Sequence, residues 1–193
     1  MKLNIKTIGI DDAPFDFHNL RQRETMLVGA VMRSNHYLEG VLSTTIEIDG
    51  TDATEKVIEM VRDSRHHRQL KAIFLDGITM GGFNVLDIFR ICELTGIPVL
   101  SLTRNEPDFK SIESALKTHF PDGEERWLLI KRGRLHRFKA GEKEIFGKIA
   151  GIEPEKAQEL IDVTTKYGHI PEPVRVAHLI ASGIVKGEST GKA

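Results

Sequence analysis

Several things are scarce in this chain, and each scarcity excludes a class. Its 193 residues contain one cysteine, Cys92. A single thiol makes no internal disulfide and no Cys/His cluster with zinc spacing. Cys92 sits in the apolar run Val85–Leu86–Asp87–Ile88–Phe89–Arg90–Ile91–Cys92 and reads as a small buried hydrophobe rather than a nucleophile. No apolar run reaches the roughly 18 residues of a membrane span. The N-terminus, Met1–Lys2–Leu3–Asn4–Ile5–Lys6, has no apolar signal core, so no membrane partner and a cytoplasmic setting are expected. Charge of one sign is lacking too. The net charge of -1 excludes a globally basic nucleic-acid binder and leaves only local patches. There is no Gly-x-Ser-x-Gly, no Walker motif, no internal repeat and no low-complexity tract.

The composition is that of an ordinary globular domain, 40% hydrophobic and 28% charged. Residues 1–193 are expected to form a single domain, with 187–193 a frayed tail. Thr7–Ile10 reads as a strand ending in Asp11–Asp12, Met26–Met32 as a second strand and Leu38–Ile48 as a third, with Leu42, Thr44, Ile46 and Ile48 on one face. Short links make these three an antiparallel meander.

Asp52, with Glu55 three residues on, suggests a capping box for a helix whose stripe is Val57, Ile58, Met60 and Val61. Lys71–Asp76 is a buried strand, Val85–Leu94 a helix capped by Gly96, Pro98–Leu102 a strand and Asp108–His119 a helix. That alternation predicts parallel βαβ units. Trp127–Ile130 and Ile145–Ile149 read as strands or short packing segments. Helices follow from Pro154 to Thr165 and from Pro171 or Pro173 to Ile184.

Two strands end in aspartate, Ile10–Asp11 and Leu75–Asp76, and ligands gather at the carboxyl ends of strands in open α/β sheets. Carboxylates brought together there repel one another unless a cation lies between them, and hard oxygen donors select magnesium or manganese. Asp49 and Asp52 lie where the third strand turns into the helix and could join the set. Asp52 is equally explained as a cap, and an aspartate before glycine as a turn residue. The Gly77–Asn84 turn could bring backbone N–H groups to a phosphate.

Adjacent His66 and His67 are expected on different faces of a helix end and solvated. His169 falls in a loop. His178, in the last helix, is either a packed residue or a base. Basic residues cluster at Arg62, Arg65 and Arg68, and again at Lys131–Arg134 with Arg137. The second cluster, beside Trp127 and Phe138, could contact a phosphate backbone or stack a base.

Asp11–Asp12–Ala13–Pro14–Phe15, Asp49–Gly50–Thr51–Asp52–Ala53–Thr54, Leu75–Asp76–Gly77–Ile78–Thr79 with Gly82–Phe83–Asn84, and Pro171–His178 resemble, in order and over nearly the whole chain, an archaeal family called domain of unknown function ninety-nine. That family is a distant relative of endonuclease V in the ribonuclease H-like superfamily. The resemblance implies an α/β fold, a ribonuclease H-like mixed sheet flanked by helices, with the first three strands antiparallel and parallel βαβ units after them. It implies metal-binding carboxylates at Asp11 and Asp76, with Asp52 between them in the chain and Asp49 its competitor. Gly168–His169 resembles a Gly-His motif of endonuclease V, whereas His178 lies in this family's own segment. The proline- and tyrosine-containing wedge of endonuclease V and the Arg-Glu before its helix are absent.

The resulting expectation is a Mg²⁺- or Mn²⁺-dependent nuclease acting on DNA or RNA, with Asp11, Asp52, Asp76 and His178 catalytic and Asp11, Asp49, Asp52 and Asp76 holding metal. The competing expectations are a non-catalytic nucleic-acid or nucleotide-binding module and a small-molecule phosphohydrolase.

Overall fold

The computed structural model describes residues 4–189, without Phe17 and Leu20. The end of the expected tail, 190–193, lies outside the described residues. Gly187, at φ 77°, closes the last helix, and Ser189 Oγ donates back to the Leu179 carbonyl.

The chain opens with the expected meander. β1 (Lys6–Asp12), β2 (Glu24–Arg33) and β3 (Tyr37–Glu47) are consecutive antiparallel neighbours. β4 (Leu70–Asp76) then pairs with β1 in parallel, and β7 (Val99–Thr103) with β4 in parallel. A hairpin of β8 (His136–Ala140) and β9 (Lys143–Ala150) joins the far edge antiparallel to β7. The order is β3-β2-β1-β4-β7-β9-β8. Two short strands, β5 (Thr79–Met80) and β6 (Asn84–Val85), make a separate hairpin within the glycine-rich turn.

Helices cover both faces, as parallel strands buried on both sides require. The first face packs Ile8, Ile10, Ile73, Leu75 and Val99 against α1 (Ala53–Arg62) and α2 (Ile88–Thr95). The second packs Ala72, Phe74, Leu100 and Leu102 against α5 (Pro154–Thr164) and the start of α6 (Glu172–Lys186). Further along α6, Ala177 and Ala181 meet Val28 and Ala30 of β2, small residues that allow close approach. α3 (Phe109–His119) and α4 (Gly123–Lys131) enclose Leu116, Trp127 and Ile130 with Val85.

Four local expectations are corrected. Trp127–Ile130 is helical: Arg126, Trp127 and Ile130 are buried while Leu128 is 50% exposed, a helical rather than an alternating pattern. α2 starts at Ile88, because Asp87 caps it by accepting from the Phe89 and Arg90 amides, and Asn84–Val85 is a strand. His66 is buried, and His67 hydrogen-bonds the Thr95 carbonyl at 2.8 Å, so neither is a solvated helical residue. Trp127 and Phe138 are buried, which removes both as platforms for stacking a base. Among the described residues, no helix is long and apolar enough to cross a membrane.

Candidate metal centre

The sheet register builds the site. Ile10 lies opposite Leu75 in the parallel pair, so the next residues, Asp11 and Asp76, end adjacent strands side by side. Side chains alternate along a strand. Ile8 and Ile10 face α1 and α2, so Gly9 and Asp11 face the other way; Ala72 and Phe74 likewise carry Asp76 to the α5–α6 face.

α6 delivers the third group. Gly9 makes this possible: a Cβ there would stand 2.1 Å from the Pro173 carbonyl carbon and 2.2 Å from the Val174 nitrogen. The first turn of α6 therefore rests on the bare backbone of β1. His178 lies one turn past Val174, as Asp11 lies two residues past Gly9, so the two side chains meet. His178 Nδ1 is 2.8 Å from Asp11 Oδ2. Ligand atoms of Asp11, Asp76 and His178 all lie within 4.8 Å of one another.

The electrostatics are those of crowded acids. Burial, then the charge of Asp11, pushes the Asp76 carboxyl up to about 6, with Arg104 and His178 pulling it back. Burial and the same neighbour push Asp12 up to about 6. The hydrogen bond to Asp11 raises His178. With Nδ1 donating to Asp11, the neutral ring carries its lone pair on Nε2, and Nε2 is buried without a partner among the described residues. Arg104 Nη2 is likewise buried and unpartnered.

Asp12 points to the opposite face, where its Oδ2 accepts from the Gly81 amide at 2.9 Å, and its own amide donates to Asp11 Oδ1 at 2.9 Å. It ties the β5–β6 hairpin to the end of β1.

Asp49 and Asp52, expected among the metal ligands and, for Asp52, among the catalytic residues, are not in the cluster among the described residues. Both are engaged elsewhere. Asp49, at φ 56°, accepts from the Phe83 amide at 2.8 Å and donates its own amide to the Gly81 carbonyl. Asp52 accepts from Asn84 Nδ2 at 2.7 Å and from the Glu47 amide. The capping box is also corrected: Asp52 makes no side-chain cap bond, and Asn84 Oδ1 accepts from the Ala53 amide instead. His169 lies in the loop before α6, outside the cluster. Sequence reading missed Gly9, Arg104 and the bond between His178 and Asp11. The spacing of Gly9 and Asp11 on one strand face was the available signal for the first.

A UPF0215 protein of Methanothermobacter thermautotrophicus is 48% identical over the whole chain and 94% of its own length. A crystal structure of a protein of unknown function from Archaeoglobus fulgidus is 41% identical, with a TM-score of 0.83, over 93% of this chain and 98% of that one. Endonuclease V of Ciona intestinalis, solved with a 24mer DNA containing an inosine followed by a ribo-adenosine, shares the fold at 13% identity. Its TM-score is 0.60, over 95% of this chain and 87% of that one. The mixed sheet flanked by helices is thus a fold shared with endonuclease V. The family model described as endonuclease dU matches residues 3–185, and the chain belongs to that family.

Proposed function

We propose that this chain is a divalent-metal-dependent endonuclease that hydrolyses phosphodiester bonds in DNA, with Asp11, Asp76 and His178 at its centre. One observation carries the reading: these three side chains converge to within 4.8 Å at the carboxyl ends of two adjacent parallel strands. The family's description supplies the first substrate to test, DNA containing deoxyuridine.

The donor set fits a cation. Two crowded carboxylates gain from a positive charge between them, and the unpartnered His178 Nε2 offers a third donor. Carboxylate oxygens suit magnesium and manganese, and the imidazole favours manganese of the two. A cation held there supplies Lewis-acid polarisation of a phosphoryl oxygen and a stronger nucleophile at neutral pH.

The chain's own groups do the rest. Asp11 fixes the His178 ring through Nδ1 and so holds Nε2 in place as the third donor to the cation. The unpartnered guanidinium nitrogen of Arg104 donates to a phosphate oxygen, the charge-assisted bond for which that fork is suited. Asp12 holds the hairpin at the rim.

The test is cleavage of end-labelled duplexes carrying one deoxyuridine, one deoxyinosine or only thymine, with Mn²⁺, Mg²⁺ or chelator. Wild type is expected to cut with metal, and Asp76→Asn to lose at least about 100-fold in rate. A wild type that cuts nothing leaves a nucleic-acid-binding module without catalysis, and an Asp76→Asn variant that cuts at full rate removes Asp76 from the catalytic centre.

A further inference from the structure

The two edges of the sheet are finished differently. At one edge, β8 is five residues long, and the Gln158 side chain of α5 closes it. The Lys139 amide donates to Gln158 Oε1 at 2.9 Å, and Gln158 Nε2 donates to the Lys139 carbonyl at 2.8 Å. That side-chain amide takes the place of a further strand, and the exposed Arg137 and Lys139 keep one away. The other edge, β3, is 11 residues long and has no strand beyond it among the described residues.

Alternation locates the free backbone groups of β3. The Ile48 amide donates to the Arg23 carbonyl at 2.9 Å, so Ile46, Thr44 and Leu42 in turn bond β2. Thr45, Ser43 and Val41 therefore aim their N–H and C=O groups away from β2. The Glu47 amide also points outward, and Asp52 accepts it at 3.2 Å, which ends the free stretch. The register shift at Glu39 ends it on the other side. Between these stops, residues 40–46 include no charge and no proline, the residue types that blunt exposed edges.

One face of this edge is open as well. Ser43 and Val41 lie opposite Val28 and Ala30, which α6 covers with Ala177 and Ala181. That cover stops at β2. Val41 is 48% exposed, and Ser43 and Thr45 are exposed beside it.

The symmetry of the run selects the occupant. Its midpoint is Ser43. A second β3, related by a two-fold axis through Ser43, sets Ser43 against Ser43 and Val41 against Thr45, and each such pair exchanges two hydrogen bonds. Just past the run, Glu47 arrives opposite Glu39. The Glu39 carboxylate is already paired with both Lys6 and Arg33. Two cations against one carboxylate leave a positive charge for the incoming Glu47, and the two-fold supplies the match twice.

We propose that β3 is the docking edge for a second copy of this chain, joined antiparallel across Ser43 into one continuous sheet. A two-fold axis perpendicular to the sheet leaves the carboxyl ends of β1 and β4 at opposite rims, so both metal centres stay clear of the seam. The assembly is independent of the reaction proposed above.

The test is sedimentation velocity of the full chain over roughly 1–200 µM, where such a dimer populates by mass action. Wild type is expected to rise from one 21.7 kDa chain to twice that mass. Ser43→Pro removes an outward N–H and leaves the bonds to β2 intact, as proline does on edge strands. It should raise the dissociation constant at least about tenfold, the equivalent of one or two lost hydrogen bonds. Val41→Lys places like charges at the seam and should do the same. Thermal unfolding checks that both variants are folded, and Val41→Lys keeps the test open if Ser43→Pro does not fold. Ser43→Cys reads the register. Its two Cα atoms, about 5.5 Å apart across a bonded pair, lie within disulfide reach, so mild oxidation should link two chains. Thr45→Cys, opposite Val41 rather than itself, should not link, and wild type controls for Cys92. A wild type that stays monomeric throughout, and so leaves the edge to another chain or to water, overturns the proposal. So does a folded Ser43→Pro or Val41→Lys variant that dimerises like wild type, or cross-linking by Thr45→Cys but not by Ser43→Cys.

Discussion

Gly9 lies directly beneath the backbone of Val174: a Cβ at Gly9 would stand 2.2 Å from the Val174 nitrogen. This contact seats α6 on β1, and the seat sets the approach of His178 to Asp11. Gly9→Ala is expected to cost about 1–3 kcal/mol, the usual range for overpacking, because the obstacle is backbone that cannot rotate away. Gly29→Ala serves as the control. Its added methyl meets the ends of two flexible side chains, Ile8 at 2.8 Å and Met60 at 3.4 Å, and should cost less. Denaturant midpoints of the two variants check the order, and the Gly9 variant alone should also lose metal affinity.

Asp76→Asn should abolish cleavage and yet stabilise the metal-free protein. Asp76 is raised from 3.8 to about 6 in the fold. A raised carboxyl contributes stability that is complete below its unfolded pKa and is lost as pH rises through about 6. The variant should therefore be more stable than wild type near pH 7.5, by roughly 2–3 kcal/mol, with the gap narrowing below about pH 6 and closing near pH 4. Subtracting wild type from variant removes the opposing contribution of His66 and His136, which burial lowers. A gap that does not change with pH contradicts the assignment.

Added Mn²⁺ should raise the melting temperature of wild type more near pH 7.5 than near pH 5, since protons compete for the same oxygens. The raised Asp12 and Asp76 place the change around pH 6. His178, also raised, adds a proton competitor through and above its ordinary 6.5. Thermal scans with and without chelator measure it, and Asp76→Asn should show little response at either pH.

Arg126 should behave as a loop clamp. It is buried, and its Nη1 donates to the Gly50 carbonyl at 3.0 Å and the Phe83 carbonyl at 2.7 Å, joining the β3–α1 turn to the β5–β6 hairpin beside Asp12. Arg126→Ala leaves those carbonyls without this partner and should cost about 1–3 kcal/mol. Arg126→Lys should recover little, because one ammonium does not reproduce a planar fork that also reaches Asp122. Unfolding midpoints of both variants decide it.

The parts legible in the sequence were those set by strong local patterns. The meander, β4 with its terminal Asp76, β7 and the last two helices each carry clean apolar spacing or a proline start. α4 was not legible as a helix, because Trp127–Leu128–Leu129–Ile130 is uniformly apolar and only the packing exposes Leu128. β8 was hidden because its outward residues, Arg137 and Lys139, made it look like a basic patch, while Phe138 and Ala140 point inward.

At the site, Asp11 and Asp76 were legible because strand ends are visible one strand at a time. Their side-by-side register and the arrival of His178 depend on contacts 65 and more residues apart. Asp52 misled for a physical reason. A capping box and a metal ligand ask for the same residue type, and a third partner, Asn84, takes the aspartate's oxygen and caps the helix itself.

The most direct test of the central claim is a crystal soaked in Mn²⁺ and read by anomalous scattering. The account predicts a peak among Asp11, Asp76 and His178, with donor atoms about 2.0–2.3 Å away, absent in Asp76→Asn crystals. A peak lying only at Asp49 and Asp52, or an unchanged peak in the variant, would contradict it.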